Sequence, residues 1–280
     1  MIEFGHLSHA GLRRQRNEDT YYGNAELGLW LVADGMGGHD YGEVASALAR
    51  EAVVREVRSG KALADAIRTA DAEIIRLSRT RKQPLPMGTT IAGACIHGHE
   101  FLVAWVGDSR AYLWRDGVLR QLSQDHSMVQ SLIDRGALTT EQARRHPQRN
   151  VITQALGITE PDQLNIETAV GQLDPGDQLL LCSDGLTEEL DDAVIARVLG
   201  RAELSAQECV DQLVLAALER QEPFGFEVTR FDWGSEYYLR HGVMMPEDGR
   251  DQIRGMDAIL FGSAGDPRVP DHITLWGLRL

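Results

Sequence analysis

Residues 28–38 read GLWLVADGMGG: five apolar residues, then Asp34, then a glycine-rich break. An apolar run of that length bounded by glycine reads as a buried strand. The same phrase recurs as FLVAWVGDSR over residues 101–110, closing on Asp108, and as QLLLCSDGL over 178–186, closing on Asp184. A fourth acidic element, RNED at 16–19, supplies Glu18 and Asp19. A carboxylate at the end of a buried strand is costly unless something pairs it. No Lys or Arg cluster accompanies these. Divalent cations solve the problem, and hard oxygen donors that leave water on the ion suit Mg²⁺ or Mn²⁺. Glycine at 35 lets the main chain approach such an ion closely. Taken singly, each Asp-Gly is an ordinary turn dipeptide. The spacing of the whole set decides between the two readings.

Working outward, β-like runs lie at 3–8, 28–33, 89–96, 101–106, 111–114 and 178–182. Between them, EVASALAREAVVREV (43–57) places Val44, Leu48, Val53, Val54 and Val57 near one helical face. Residues 61–77 repeat the pattern with Leu63, Ile67, Ile74 and Leu77. A third helix is expected over 207–218, after Ser205 as N-cap. Strands, two long helices, a block of strands and helices again indicate an α+β fold with helices packed on antiparallel sheets. Residues 127–145, interrupted by Gly136 and followed by His146-Pro147, read as an excursion from the sheets and a candidate flap over a site.

The chain of 280 residues carries a formal charge of −14 with a pI near 5.1. That balance runs against a nucleic-acid binder, which needs a basic surface to displace counterions from phosphates. Cys95, Cys182 and Cys209 are scattered, without a CxxC pair, and read as thiols in a reducing compartment. The first residues lack a signal-peptide core and no apolar run approaches membrane-spanning length, so a cytoplasmic protein without a membrane partner is expected. After Arg220 the composition shifts. The last 60 residues hold eight of the 17 aromatics and no lysine. Two regions are therefore expected, 1–220 and 221–280.

Taken in order, RRQRNEDTYY, LWLVADGMGGHDYGEVAS, MGTTIAG, VGDSRAYLWRDG, LSQDHSMVQSLIDRGALT, HPQRNVITQALG and GDQLLLCSDGLTEEL resemble the bacterial type 2C, metal-dependent protein serine/threonine phosphatases. The match runs from about residue 3 to 220. It implies a β-sandwich of two antiparallel sheets flanked by helices, with a centre of two or three Mn²⁺ or Mg²⁺ ions at one end. It further implies hydrolysis of phosphoserine and phosphothreonine in proteins by a metal-activated water, and a cognate serine/threonine kinase as the opposing partner. By the resemblance Asp34 bridges two ions, Gly35 donates its carbonyl, and Asp184 is a ligand of the first ion. Glu18 holds the second ion through water, with Asp19 beside it. Asp108 shares a third, weaker site with Asp184, and Arg14 grips the substrate phosphate. Met36 stands where some members have a histidine. His39 is a weak candidate for protonating the leaving alkoxide, against a metal-bound water. His126 reads as structural.

The pattern breaks after the helix ending near Arg220, where the family's terminal Asp-Asn-Ile-Thr strand is due. From about residue 224, FDWGSEYYLRHGVMMP, DAILFGSAGDP and PDHITLWGLRL instead resemble a fragment of tartrate dehydrogenase, a β-decarboxylating dehydrogenase. The piece is too short to bury a dehydrogenase core. The rival to an active phosphatase is a catalytically impaired remnant or binding module. Asp271-His272-Ile273-Thr274 mimics the missing motif, so 271–278 is expected to supply a terminal strand and Asp271 the missing metal ligand. Looping out 221–270 is no obstacle, because closure entropy grows only logarithmically. On this expectation Asp271→Ala lowers Mn²⁺-dependent phosphatase activity and Mn²⁺ affinity. An unchanged rate and affinity would remove Asp271 from the site.

Overall fold

The computed structural model describes residues 2–14, 16–37, 41–80, 87–221, 229–256 and 268–269. The chain divides into two compact units, Met1–Glu222 and Pro223–Leu280.

In the first unit the chain runs β1 (Asp19–Asn24), β2 (Leu29–Met36), α1 (Tyr41–Arg58), α2 (Leu63–Thr80), β3 (Gly88–Thr89), β4 (Ile91–His97) and β5 (Glu100–Val106). It continues through β6 (Arg110–Arg115), β7 (Val118–Gln121), α3 (Met128–Asp134), α4 (Thr140–Arg144), β8 (Glu167–Gln172) and β9 (Gln178–Cys182). The last elements are α5 (Asp184–Thr187), α6 (Asp192–Leu199) and α7 (Ala206–Arg220). One antiparallel sheet has the order β1-β2-β4-β5-β8, with β3 paired to the end of β2; the other has the order β7-β6-β9.

Side-chain alternation sorts the core into layers. Leu29, Leu31 and Ala33 of β2 face Ala45, Ala49 and Val53 of α1 and Ile67, Ala70 and Ile74 of α2. The opposite face, with Val32, Ala92, Val103 and Trp105, meets Ala111 of β6 and Leu179 and Leu181 of β9. Beyond the second sheet, Trp114 and Leu180 pack on Ile195, Leu199, Cys209 and Leu213 of α6 and α7. The result is the expected sandwich, with helices on both outer faces. Asp34 has the parity of Val32 and so belongs to the face between the sheets.

Two local expectations are corrected. Residues 3–8 form no strand; helix α7 rather than a strand holds them. The Gln207 side chain accepts the His6 N–H and donates to the His6 carbonyl, each at 3.1 Å, and Glu3 accepts the Ala206 N–H at 2.8 Å. The buried face of α1 is Gly42, Ala45, Ser46, Ala49, Ala52 and Val53, whereas Val44 is exposed. Small residues let the helix approach β2 closely. The flap holds two short helices, α3 and α4, split at Gly136, where φ is +70°. Strands β1, β7 and β8, more polar than the others, were not anticipated.

In the second unit α8 (Ser235–His241) ends on left-handed Gly242, and α9 (Gly249–Ile253) follows. The Phe231 and Trp233 rings stand 4.2 Å apart, and the Gly234 N–H donates to the Met244 carbonyl at 2.8 Å. Residues 257–267 and 270–280, with Asp271 and the expected strand at 271–278, lie outside the described residues. Among the described residues no helix is long and apolar enough to cross a membrane, and the three cysteines are free thiols.

One buried polar contact braces the sandwich end of interest. Asp71 of α2, 2% exposed, accepts the Gly157 N–H at 2.8 Å. The neighbouring Leu156 exchanges both main-chain bonds with Thr89 of β3. Burial raises the Asp71 carboxyl above its ordinary value, opposed by the Gly157 N–H and the charge of Arg68. Because the unfolded chain deprotonates first, this group's contribution to stability erodes as pH rises from about 4 through the raised folded value. Asp71→Ala strands the Gly157 N–H and should destabilise by about 1–3 kcal/mol in urea titrations. Asp71→Asn should gain on wild type as pH rises above about 4; parallel curves for the two would refute the assignment.

Candidate metal centre

Strand register brings the predicted carboxylates together. Asp19 and Asp34 are direct cross-strand partners in the β1–β2 pair, so their side chains share one face with Cβ atoms about 5 Å apart. In the β6–β9 pair Arg110 stands opposite Cys182. Continued by two residues, that register sets Asp108, before β6, against Asp184, after β9. The first pair belongs to one sheet and the second to the other. Ser183 joins them, donating its Oγ proton to Asp19 Oδ2 at 2.9 Å.

Four acids thus converge at one end of the gap between the sheets. Asp34 interacts with both Asp19 and Asp184. Its carboxyl is pushed up to about 10, first by burial, then by the charges of Asp19 and Asp184. Asp108, 8% exposed, rises to about 7 through burial and then the charges of Asp184 and Asp125. Asp19 is also raised by burial, with Ser183, Asp34 and Arg14 acting against the rise. Like charges facing one another in a half-buried gap are destabilising. With no cation at hand, the least costly relief is a proton on Asp34.

The surroundings fit cations better than protons. Every converging donor is a hard oxygen, as Mg²⁺ and Mn²⁺ prefer. Among the described residues no three His, Cys, Asp or Glu side chains form a ready-made cage. An open arrangement is what a cation that keeps several waters requires. Main-chain approach is also close: a Cβ on Gly35 would lie 2.1 Å from the Gly42 carbonyl oxygen and 2.7 Å from that of Glu18. The Glu18 carbonyl accepts both the Gly35 N–H at 3.2 Å and the Ser46 hydroxyl at 2.6 Å. The Glu18 carboxylate lies over Gly42, where an added Cβ would meet Oε1 at 2.7 Å. The start of α1 is thereby keyed to both β2 and the acidic RNED turn.

Arg14 stands at the rim. Its side chain is 63% exposed and 4.0 Å from Glu18, and its charge is felt by Asp19 and by Glu188 just beyond α5. His126 is buried; its ring Nδ1 accepts the Gly107 N–H at 3.2 Å while its main-chain N–H donates to the Gly107 carbonyl at 2.9 Å. These bonds fix the base of the flap, consistent with the structural reading. His39 and Asp271 fall outside the described residues. The site also uses Ser183, Thr89, Thr90, Ser109 and Gly42, which sequence reasoning did not single out. Their signal was weak, since hydroxyl residues and glycine beside a strand-end aspartate usually mark turns.

Comparison with known proteins places the chain in a family. Residues 8–218 match the family model described as protein phosphatase 2C. The serine/threonine protein phosphatase PstP of Mycobacterium tuberculosis is 33% identical over 264 residues, 90% of this chain and 50% of that protein. The chain thus spans about half the length of PstP. Serine/threonine phosphatase stp of Listeria innocua is 34% identical over 202 residues, 68% of this chain and 79% of that one. Among solved structures, M. tuberculosis PstP/Ppp superposes with a TM-score of 0.70 at 36% identity, covering 76% of this chain and 90% of that one. The PstP catalytic domain in complex with two manganese ions gives 0.68 at 33% identity, covering 78% and 91%. With its family match, its fold and its strand-end acids all in accord, the chain belongs to the protein phosphatase 2C family.

Proposed function

We propose that this chain is a protein serine/threonine phosphatase that removes phosphate from phosphoserine and phosphothreonine with the help of Mn²⁺ or Mg²⁺. The observation that carries the reading is the convergence of Asp19, Asp34, Asp108 and Asp184 from two sheets, with one exposed arginine at the rim. These four acids, with Glu18 and the Gly35 carbonyl, would hold the ions. Ions bound there supply an acidified water and offset charge on a phosphoryl group. The manganese reported with PstP supports that choice of metal.

The chain's own residues do the rest. Arg14 presents a planar fork that matches two phosphoryl oxygens and is exposed enough to reach them. Its loose contact with Glu18 leaves the guanidinium available. Gly35 keeps the β2 end flush against α1, which fixes where Asp34 points. The centre opens at an end of the sandwich, which suits a side chain presented on a protein surface. The relatives' names as serine/threonine phosphatases support phosphoprotein substrates and a kinase that makes them. The free thiols suit a reducing, cytoplasmic setting. An impaired remnant is the weaker reading, because the relatives are named as serine/threonine phosphatases.

Hydrolysis of p-nitrophenyl phosphate and of a phosphothreonine peptide should require Mn²⁺ and cease with EDTA. Asp34→Asn or Asp184→Asn should each lower kcat/KM by about 100-fold or more, whereas Arg14→Ala should chiefly raise KM. Turnover that persists undiminished in EDTA would overturn the proposal.

A further inference from the structure

Thr90 is the single residue between β3 and β4 and is 1% exposed. Its side chain touches three things. Its Oγ1 accepts the Asp34 N–H at 3.2 Å and lies 2.7 Å from the equally buried Ser109 Oγ. Its methyl group packs against Gly107, where an added Cβ would lie 2.6 Å from Thr90 Cγ2 and φ is +100°. Its own N–H donates to the Asp34 carbonyl at 2.8 Å, and the Thr89 hydroxyl donates to the same oxygen at 2.8 Å. Asp34 is thus held at both its N–H and its C=O by consecutive threonines. The second of these is bonded to the residue that follows Asp108.

Given the metal centre proposed above, on which this rests, we infer that Thr90 is a positioning residue that sets the spacing between Asp34 and Asp108 through its hydroxyl bond with Ser109. Asp34 ends a strand of the larger sheet, while Ser109 leads into β6 of the smaller one. The bond therefore bridges the gap at the level of the acids. In so buried a place a hydroxyl pair is directional and is not exchanged for water. Groups that orient ligands without touching the ion commonly change metal affinity by about 10–100-fold when removed. Ser183, which joins Asp19 to the other sheet, makes the corresponding tie on the Asp184 side.

The test is Mn²⁺ calorimetry on the full chain, which needs no turnover. Thr90→Val keeps the branched shape and loses the hydroxyl; it should bind Mn²⁺ about 10-fold or more weakly. Thr90→Ser keeps the hydroxyl and should stay within about twofold of wild type. Should Thr90→Val not fold, Ser109→Ala removes the same bond from the other end and should show the same weakening. Wild-type affinity in Thr90→Val or in Ser109→Ala overturns the inference. So does equal weakening in Thr90→Ser and Thr90→Val, which would assign the effect to methyl packing. A wild-type chain that binds no Mn²⁺ overturns the metal centre itself and this inference with it.

Discussion

The structure is organised around mutual repulsion. Four carboxyl groups meet at a half-buried strand end, where burial and like charge push the carboxyls of Asp19, Asp34 and Asp108 above their ordinary values. Nothing in the packing of the sandwich requires this. Apolar side chains at the same strand ends would satisfy the core at lower cost. The arrangement is stable only with positive charge supplied from elsewhere, as protons or as ions. Its local environment therefore amounts to a preference for a small, hard, multiply charged cation.

Holding like charges together demands rigidity, and the fold supplies it through backbone geometry. Cross-strand register aligns Asp19 with Asp34 and, by extension, Asp108 with Asp184. Side chains alone, with several rotatable bonds each, would relax apart. Gly35 and Gly42 let the start of α1 lie almost on the β2 backbone, so the helix braces the same strand end. Arg110, bound through both Nε and Nη2 to Asp125, fixes the chain where it leaves the sheet for the flap. Both sheets, the first helix and the flap base therefore share a common reference point at the acids.

Much of this was legible in the sequence because strand-end aspartates leave a strong local signal. An apolar run closing on Asp and then Gly or Ser names both the strand and the exposed end. Long helices were legible through their period, although on α1 Val44 proved exposed and the fully buried positions are mostly small residues. Hydrophobicity favours valine for the core, whereas close approach to β2 favours Gly42, Ala45 and Ala49. Strands β1 and β8 escaped because they are polar, and their place in the sheet depends on neighbours distant in sequence. Residues 3–8 carry a strand-like pattern, but the partner that claims them is a helix. Thr90, Ser109 and Ser183 could not be singled out, since a hydroxyl becomes informative only once the residue across the gap is known.

The fastening of the N-terminal segment has a consequence for how the unit is assembled. Its contacts with α7 join positions more than 200 residues apart, from His6 and Gln207 to Leu12 and Gln221. During synthesis the first dozen residues stay without these partners until nearly the whole unit has been made. Closure of such distant contacts is slow and comes late. Completion of the last helix therefore acts as a latch. A nascent chain interrupted before residue 207 would carry Phe4 and Leu7 without that fastening, and so stand open to chaperones.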